Sequence, residues 1–374
     1  MHPVYAIASN IVSSLGMDTQ THWQAVTTGR TGIKRYEGIG LSNTPFMASK
    51  LEPAQWQAMP ESQLQQLSPF EQLATHSVRK AMDQLDNSID LQQAVFILAT
   101  TKGNIELLGK VPDDHLLLHY SAKVIANECG IPGKPIVISQ ACVSGVVALQ
   151  YGMRLLQSGR YKHAVVCGCD RFSRFVLSGF QSFQAISDEP CRPFDAARKG
   201  ITLGEAAATI ILSVNRTENT AGQLISGATS NDANHISGPS RTGEELAYAI
   251  TSALTEAKIT PSEIDMISAH GTATIYNDEM EAKAFDVAGV LPSPVHSFKG
   301  YIGHTLGAAG ILESAMVLES MRHQTLMPSA GYSELGVSKA INVTKTLQPA
   351  TINYALKTAS GFGGSNAVVV WKRV

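Results

Sequence analysis

A chain of 374 residues, 44% of them hydrophobic, 6% aromatic, and with a formal charge of −2 can bury a large core, as one big domain or as two intimately packed halves. Near-neutrality excludes a long-range field that would gather nucleic acid or an anionic membrane, and no apolar run approaches the ~18 residues of a membrane span. Five cysteines, an odd number with no Cys-x-x-Cys pair, exclude a disulfide framework or structural zinc as the organising device. The first residues lack a charged segment followed by an apolar one, so no signal peptide is expected.

In chain order, short apolar runs alternate with helical periodicity. Strands are predicted over 4–11, 94–99, 136–139, 164–167, 206–214, 266–269, 295–298 and 367–371. Helices are predicted over 70–85, 120–129, 143–156 (closed by Gly159), 244–257 and 306–321. Interleaving of this kind indicates an α/β protein with covered sheets.

A faint internal repeat organises the chain. In the first half a strand at 136–139 runs into the small-residue helix start Cys142-Val-Ser-Gly-Val-Val-Ala. In the second half a strand at 295–298 runs into Gly303-His-Thr-Leu-Gly-Ala-Ala-Gly. Two similar halves would bring these helix starts together near a pseudo-twofold axis. The boundary is expected at the polar stretch 217–222, giving halves of residues 1–218 and 219–374.

The reactive residue types fall at those positions. Cys142 follows a strand and opens a helix, whose unpaired N–H groups and positive end favour thiolate over a free thiol's pKa of about 8.5. Against this stands the ordinary fate of free cysteines as small buried hydrophobes, to which Cys129, Cys167, Cys169 and Cys191 are assigned. His270 stands at a strand's carboxyl end before Gly271-Thr-Ala-Thr, where α/β proteins carry site residues. His304, near a helix start and five residues after Lys299, is expected to be neutral and able to donate an N–H to a developing oxyanion. Glu313 could hold Lys299 or His304, or be a plain exposed charge. The tail Ser360-Gly-Phe-Gly-Gly-Ser-Asn lets backbone approach a ligand closely, with Phe362 a movable plug or a core residue.

Taken together, these segments resemble the beta-ketoacyl-acyl-carrier-protein synthases, the elongating condensing enzymes of the thiolase-like fold. The resemblance runs from Asn10-Ile-Val-Ser-Ser-Leu-Gly through the Cys142 segment and Arg192-Pro-Phe-Asp-Ala-Ala-Arg-Lys-Gly. It continues through Ser230-Asn-Asp-Ala-Asn-His, His270-Gly-Thr-Ala-Thr, 299–310 and Gly361-Phe-Gly-Gly-Ser-Asn. Each motif alone is weak; in this order they are specific.

The resemblance implies two similar halves in a layered α-β-α-β-α core. It implies an acyltransferase in which Cys142 takes an acyl group from the phosphopantetheine of acyl carrier protein. The backbone N–H groups of Cys142 and Phe362 would form an oxyanion hole. His270 and His304 would stabilise the enolate formed as a malonyl thioester loses CO₂. Lys299 and Glu313 would organise the second histidine, Thr272 and Thr274 would bind the pantetheine arm, and Phe362 would gate the acyl pocket. No metal or bound cofactor is implied. The expected assembly is a cytoplasmic homodimer, or a heterodimer with a related subunit, serving fatty-acid, polyketide or polyene synthesis.

Departures from the family pattern are Gln140 for a Thr, Asn277 for a Gly, Ser360 for a Phe, Gln184 for an Arg, and a shortened stretch between Thr100 and Ile138. Asn277 would tolerate a left-handed turn. A thiolase would need a second cysteine in the C-terminal part, and the last here is Cys191. An initiating synthase would carry Asn where His304 stands. The rival from another class is a non-catalytic chain-length-factor-like subunit, against which Cys142 argues.

Overall fold

The computed structural model describes residues 2–37, 39–63, 66–86, 89–233 and 238–374; Asn234 and His235 of the Ser230 motif lie outside them. Eleven strands form one hydrogen-bonded sheet. From one end the order is Asn342–Val343, Pro294–His296, Met266–Ser268, Tyr354–Gly361, Ser365–Lys372, Gly222–Asn231, Tyr5–Ser13, Ala206–Ser213, His163–Asp170, Ala94–Ala99 and Ile136–Ile138.

Read outward from the middle, both halves repeat one plan. A first strand pairs antiparallel with the last of its half (Tyr5–Ser13 with Ala206–Ser213; Gly222–Asn231 with Ser365–Lys372). Another antiparallel pairing follows, then two parallel ones. The halves meet where Tyr5 and Ala6 pair with Gln223 and Gly222, so the internal repeat is a repeat of topology.

The helices complete the layers. Two central helices, Ser144–Gln157 and Ala309–His323, lie between the halves of the sheet and share one core cluster with both, including Val146, Leu149, Ile311, Val166, Ala208, Ala355 and Val369. Ala309 to Met321 is buried on every side, as a helix in a central layer must be. Outside, Pro69–Met82 covers the first half and Glu244–Ala257 the second, each with its own apolar cluster. This is the expected α-β-α-β-α arrangement. Pro69–Met82 starts where its sequence dictates: Ser68 caps Glu71 N–H, Glu71 accepts from Ser68 N–H, and Pro69 occupies the first turn.

The small residues of the two helix starts let the central helices touch backbone to backbone. A Cβ on Gly310 would stand 2.5 Å from Val146 N, and one on Gly145 would stand 2.9 Å from Gly307 O. Alanine in a helix normally gains up to about 1 kcal/mol over glycine. Here the clash is with main chain and outweighs that gain. Gly310→Ala is expected to lower unfolding stability by about 1–3 kcal/mol, read as a drop in denaturant midpoint. An unchanged or raised midpoint would show that the helices can part without cost.

Besides short strands such as Phe46–Ser49 and Asn342–Val343, two long ones escape the sequence pattern, Gly222–Asn231 and Tyr354–Gly361. The first holds two glycines and the second buries Lys357 and Thr358, so neither reads as apolar. The helix expected at 306–321 begins as a 3₁₀ turn over Leu306–Ala308. The one expected from Val143 begins at Ser144, two residues past Cys142. Among the described residues, no helix is long and apolar enough to cross a membrane.

Candidate active site

The strand Ile136–Ile138 delivers the chain to a tight turn in which Ala141 takes φ +44°. A left-handed alanine is costly, and the turn is secured by Ser144 Oγ, which donates to Ala141 O (2.6 Å) and accepts from Gln140 N–H (2.8 Å). Cys142 sits on this turn, 8% exposed, on the wall of a cavity of about 450 Å³. His270 and His304, from the second half, line the same cavity. The Cys142 Sγ and a ring nitrogen of each histidine all lie within 4.8 Å of one another. The imidazoles meet edge-on, centroids 5.0 Å apart at 85°.

What surrounds the rings fixes their protons. His304 Nδ1 accepts from Leu306 N–H at 3.3 Å, and His270 Nδ1 faces the Lys299 ammonium at 3.4 Å. With both Nδ1 atoms opposed by donors, each neutral ring carries its hydrogen on Nε2. His304 Nε2 is buried with no partner among the described residues, a donor awaiting an acceptor. Burial, then Lys299, His304 and Lys357, hold His270 well below the usual imidazole range. Burial, then Lys299 and Lys357, do the same for His304. Both are neutral near pH 7, as the sequence suggests for His304.

The supporting shell is charged and dry. Lys299, fully buried, donates to His270 O and to Glu313 Oε1, each at 2.6 Å. Of the two roles open to Glu313, it takes the first: it holds Lys299, and its other oxygen lies 2.6 Å from Lys357 Nζ. Burial pushes the Glu313 carboxyl up, but the two lysines outweigh it and leave it below its ordinary value. Glu281 accepts the N–H groups of His270 (2.7 Å) and Gly271 (2.6 Å).

Lys357 and Glu281 are functional candidates that sequence reasoning missed. In any local stretch of sequence both read as surface charges; the burial of Lys357 and Glu281 appears only in the fold.

Thr272 and Thr274 line the cavity with their hydroxyls 2.9 Å apart. Phe362, 37% exposed, lines the cavity and packs against Phe180 (5.6 Å, stacked) and Phe183 (5.3 Å, edge-on). Its N–H reaches toward Cys142 Sγ and favours a thiolate there.

Two expectations need correction. Burial pushes the Cys142 thiol up to about 11, with Lys299, the Phe362 N–H and Lys102 pulling the other way. The resting group is a thiol, because Cys142 precedes the helix on a dry turn and is not its solvated first residue. Asn277 is helical, and Nδ2 donates to Glu281 at 3.0 Å; the left-handed residue in that loop is Ala273, at φ +62°. At the other departures, Gln140 bonds Ser365 Oγ, Ser360 bonds Asn366, and Gln184 lines the cavity.

One thiol and two imidazoles this close could hold a metal ion. A ligating histidine, however, donates its other N–H outward to an acceptor. Here both outer nitrogens face donors, so the Nε2 lone pairs are occupied by protons and the set does not fit a cation.

The sequence matches two family models, the beta-ketoacyl synthase N-terminal domain over residues 1–217 and the C-terminal domain over 222–333. A ketoacyl synthase alpha subunit of the tetracenomycin polyketide synthase of Streptomyces glaucescens is 34% identical over 67% of this chain, a match spanning 62% of that relative. A 3-oxoacyl-[acyl-carrier-protein] synthase 2 of Vibrio harveyi is 26% identical over 99% of this chain and 98% of its own length. Among solved structures, the ishigamide ketosynthase/chain length factor superposes with a TM-score of 0.89 at 26% identity, covering 100% of this chain and 99% of that one. With a repeated α/β topology, a cysteine turn facing two neutral histidines, and family matches along both halves, the chain belongs to the beta-ketoacyl synthase family of condensing enzymes.

Proposed function

We propose that this protein is a 3-oxoacyl-[acyl-carrier-protein] synthase, joining an acyl group held on Cys142 to a malonyl unit on carrier protein. The observation that carries this reading is the meeting of the Cys142 sulfur with both imidazoles within 4.8 Å at one cavity, both rings presenting Nε2–H.

In the first step Sγ attacks the acyl thioester. The new S–C bond replaces the bond to pantetheine sulfur, and the thiol proton leaves with that sulfur. The N–H groups of Cys142 and Phe362 serve the tetrahedral oxyanion. In the second step a malonyl thioester lies with its carbonyl oxygen on the two Nε2–H groups, its arm against Thr272 and Thr274. The bond to the carboxylate breaks, CO₂ leaves, and the electron pair becomes an enolate stabilised by those donors. The enolate carbon attacks the acyl carbonyl, the C–S bond to Cys142 breaks, and the sulfur leaves as thiolate. A buried group whose pKa is pushed to about 11 then takes a proton readily and resets the site. No strong base is needed, since decarboxylation generates the carbanion.

On this reading Lys299 and Glu313 are positioning residues, Phe362 is the gate, and residues 1–218 and 219–374 are the two functional halves. Acyl carrier protein is the partner, no bound cofactor takes part, and the cytoplasm is the site of action. The assembly is a homodimer or a pair with a related subunit; the likeness to a ketosynthase/chain length factor supports considering the pair. A purely non-catalytic subunit is disfavoured by the retained thiol and its free donors.

The direct test is to supply acyl- and malonyl-carrier protein and look for the 3-oxoacyl product; none, with a suitable partner subunit present, would sink the reading. Alkylation gives another. Iodoacetamide should modify Cys142 before the other four cysteines, which burial raises further (Cys129, Cys167 and Cys191 to about 12, Cys169 well above its ordinary value). Because the thiolate fraction grows tenfold per pH unit below the pKa, the labelling rate should climb through pH 7–9 without levelling. A plateau near pH 8 would mean the helix end wins over burial.

A further inference from the structure

The Lys299–Glu313 pair is joined by a second buried cation that the reaction scheme leaves unused. Lys357 is fully buried on the strand Tyr354–Gly361, in register with Ser268, two residues before His270. Its Nζ lies 3.2 Å from Ser268 O, 3.3 Å from Ala269 O, 2.6 Å from Thr358 O and 2.6 Å from Glu313 Oε2. Three carbonyl oxygens accepting from one nitrogen, with a carboxylate oxygen at ion-pair distance, are the environment of an ammonium with its three hydrogens. An ammonium with no carboxylate beside it could not stay charged in so dry a place.

The neighbouring charges form a set. Lys299 grips His270 O, Lys357 grips the carbonyls of Ser268 and Ala269, and Glu281 grips the N–H groups of His270 and Gly271. Glu313 ties the two lysines together. Charged side chains thus hold the carbonyls of Ser268, Ala269 and His270 and the N–H groups of His270 and Gly271. Two ammoniums and two carboxylates cancel as a group. Take away Lys357, and two buried carboxylates share one lysine, leaving a net negative charge behind a site that must receive a malonyl carboxylate and then an enolate.

We propose that Lys357 is a positioning residue of the condensation site, completing a neutral cage of two ammoniums and two carboxylates that aims His270 and keeps negative charge from collecting behind both imidazoles. The inference rests on the decarboxylative role assigned to those imidazoles.

The sign of the pH effect follows from the groups that face the rings. Those of His270 and His304 feel each other and the cations of Lys299 and Lys357. His296, whose buried ring Lys357, Glu313 and Lys299 also influence, lies in the same layer. The carboxylates are Glu281, Glu313 and, near Cys142, Asp170; on the helix of Glu281, Asp278, which burial pushes up to about 7, feels Glu281 and is paired with Arg198. Protonating an imidazole would put a hydrogen on Nδ1, against Lys299 Nζ or Leu306 N–H. Acid should therefore disrupt the donor geometry. Removing a cation raises the imidazole pKa, so that loss should begin at higher pH.

The experiment compares Lys357→Met and Lys357→Gln. CO₂ release from malonyl-carrier protein is followed from pH 5 to 9 in a Cys142→Gln background, and acyl loading in the Cys142 protein. Both variants should lose at least tenfold in CO₂ release at pH 7 and shift the acid limb upward by about one pH unit, while loading falls less than threefold. Wild-type rates with an unmoved acid limb would overturn the proposal. So would equal loss of loading and CO₂ release with an unmoved limb, the mark of a merely structural lysine. If the methionine variant does not fold, the glutamine variant decides. The ¹⁵N-histidine NMR titration of His270 and His304 is independent of turnover: the rings should stay neutral at pH 6 in the parent and titrate at higher pH in the variant. If the folded Cys142→Gln parent releases no CO₂, the division of labour between sulfur and imidazoles fails, and the titration still judges the cage.

Discussion

Cys142→Ala should abolish acyl transfer and condensation, a loss of at least about 10⁴-fold, while Cys142→Gln should still release CO₂ from malonyl-carrier protein. The first half follows from there being one sulfur at the cavity: Cys129, Cys167, Cys169 and Cys191 are buried elsewhere and absent from its lining. Covalent catalysis needs the bond that only this sulfur makes. The second half follows from division of labour. On the proposed mechanism the enolate donors are His270 and His304, from the other half of the chain, and the substitution at 142 leaves both in place. Radiolabelled acyl transfer, read by gel, and ¹⁴CO₂ release, read by trapping, measure the two halves separately. A Cys142→Ala protein that still elongates would unseat the nucleophile. A folded Cys142→Gln protein that releases nothing would mean the sulfur takes part in both steps.

Much of this site is legible in the sequence because the chemistry sits at element ends, where local rules are strong. A strand, a turn and a small-residue helix mark Cys142. Another strand and turn mark His270, and a Gly-rich helix start marks His304. Their convergence follows from the repeat, since a duplicated topology places equivalent helix starts on either side of one axis. The cage was hidden for a physical reason. Lys357 and Glu281 look like surface charges in any local window, and only the layering shows that Tyr354–Gly361 is covered on both faces. The strand Gly222–Asn231 was hidden likewise, its glycines and polar residues masking a position at the centre of the sheet. The Cys142 thiol misleads in the other direction: the pull of a helix end can be read from sequence, whereas the burial that outweighs it cannot.

His304→Ala should then separate the two half-reactions in the opposite sense. Its Nε2–H is a buried donor without a partner among the described residues, so on the proposed mechanism its interaction is made only when negative charge develops on the malonyl carbonyl. A donor of that kind contributes to the transition state and little to the resting enzyme. Removing one such donor costs about 10²–10³ in rate, about 3–4 kcal/mol, and CO₂ release should fall by that factor. On the proposed mechanism acyl loading relies on the N–H groups of Cys142 and Phe362, and it should fall by less than about tenfold. His270, held by Lys299 and Glu281 from its own backbone side, keeps its place when His304 is truncated, so residual decarboxylation should remain and should vanish in the double variant His270→Ala/His304→Ala. Measured side by side, equal losses in loading and CO₂ release for the single variant would contradict this assignment. They would mean that His304 serves the cysteine as well as the enolate, and that the two imidazoles are not a matched pair of donors.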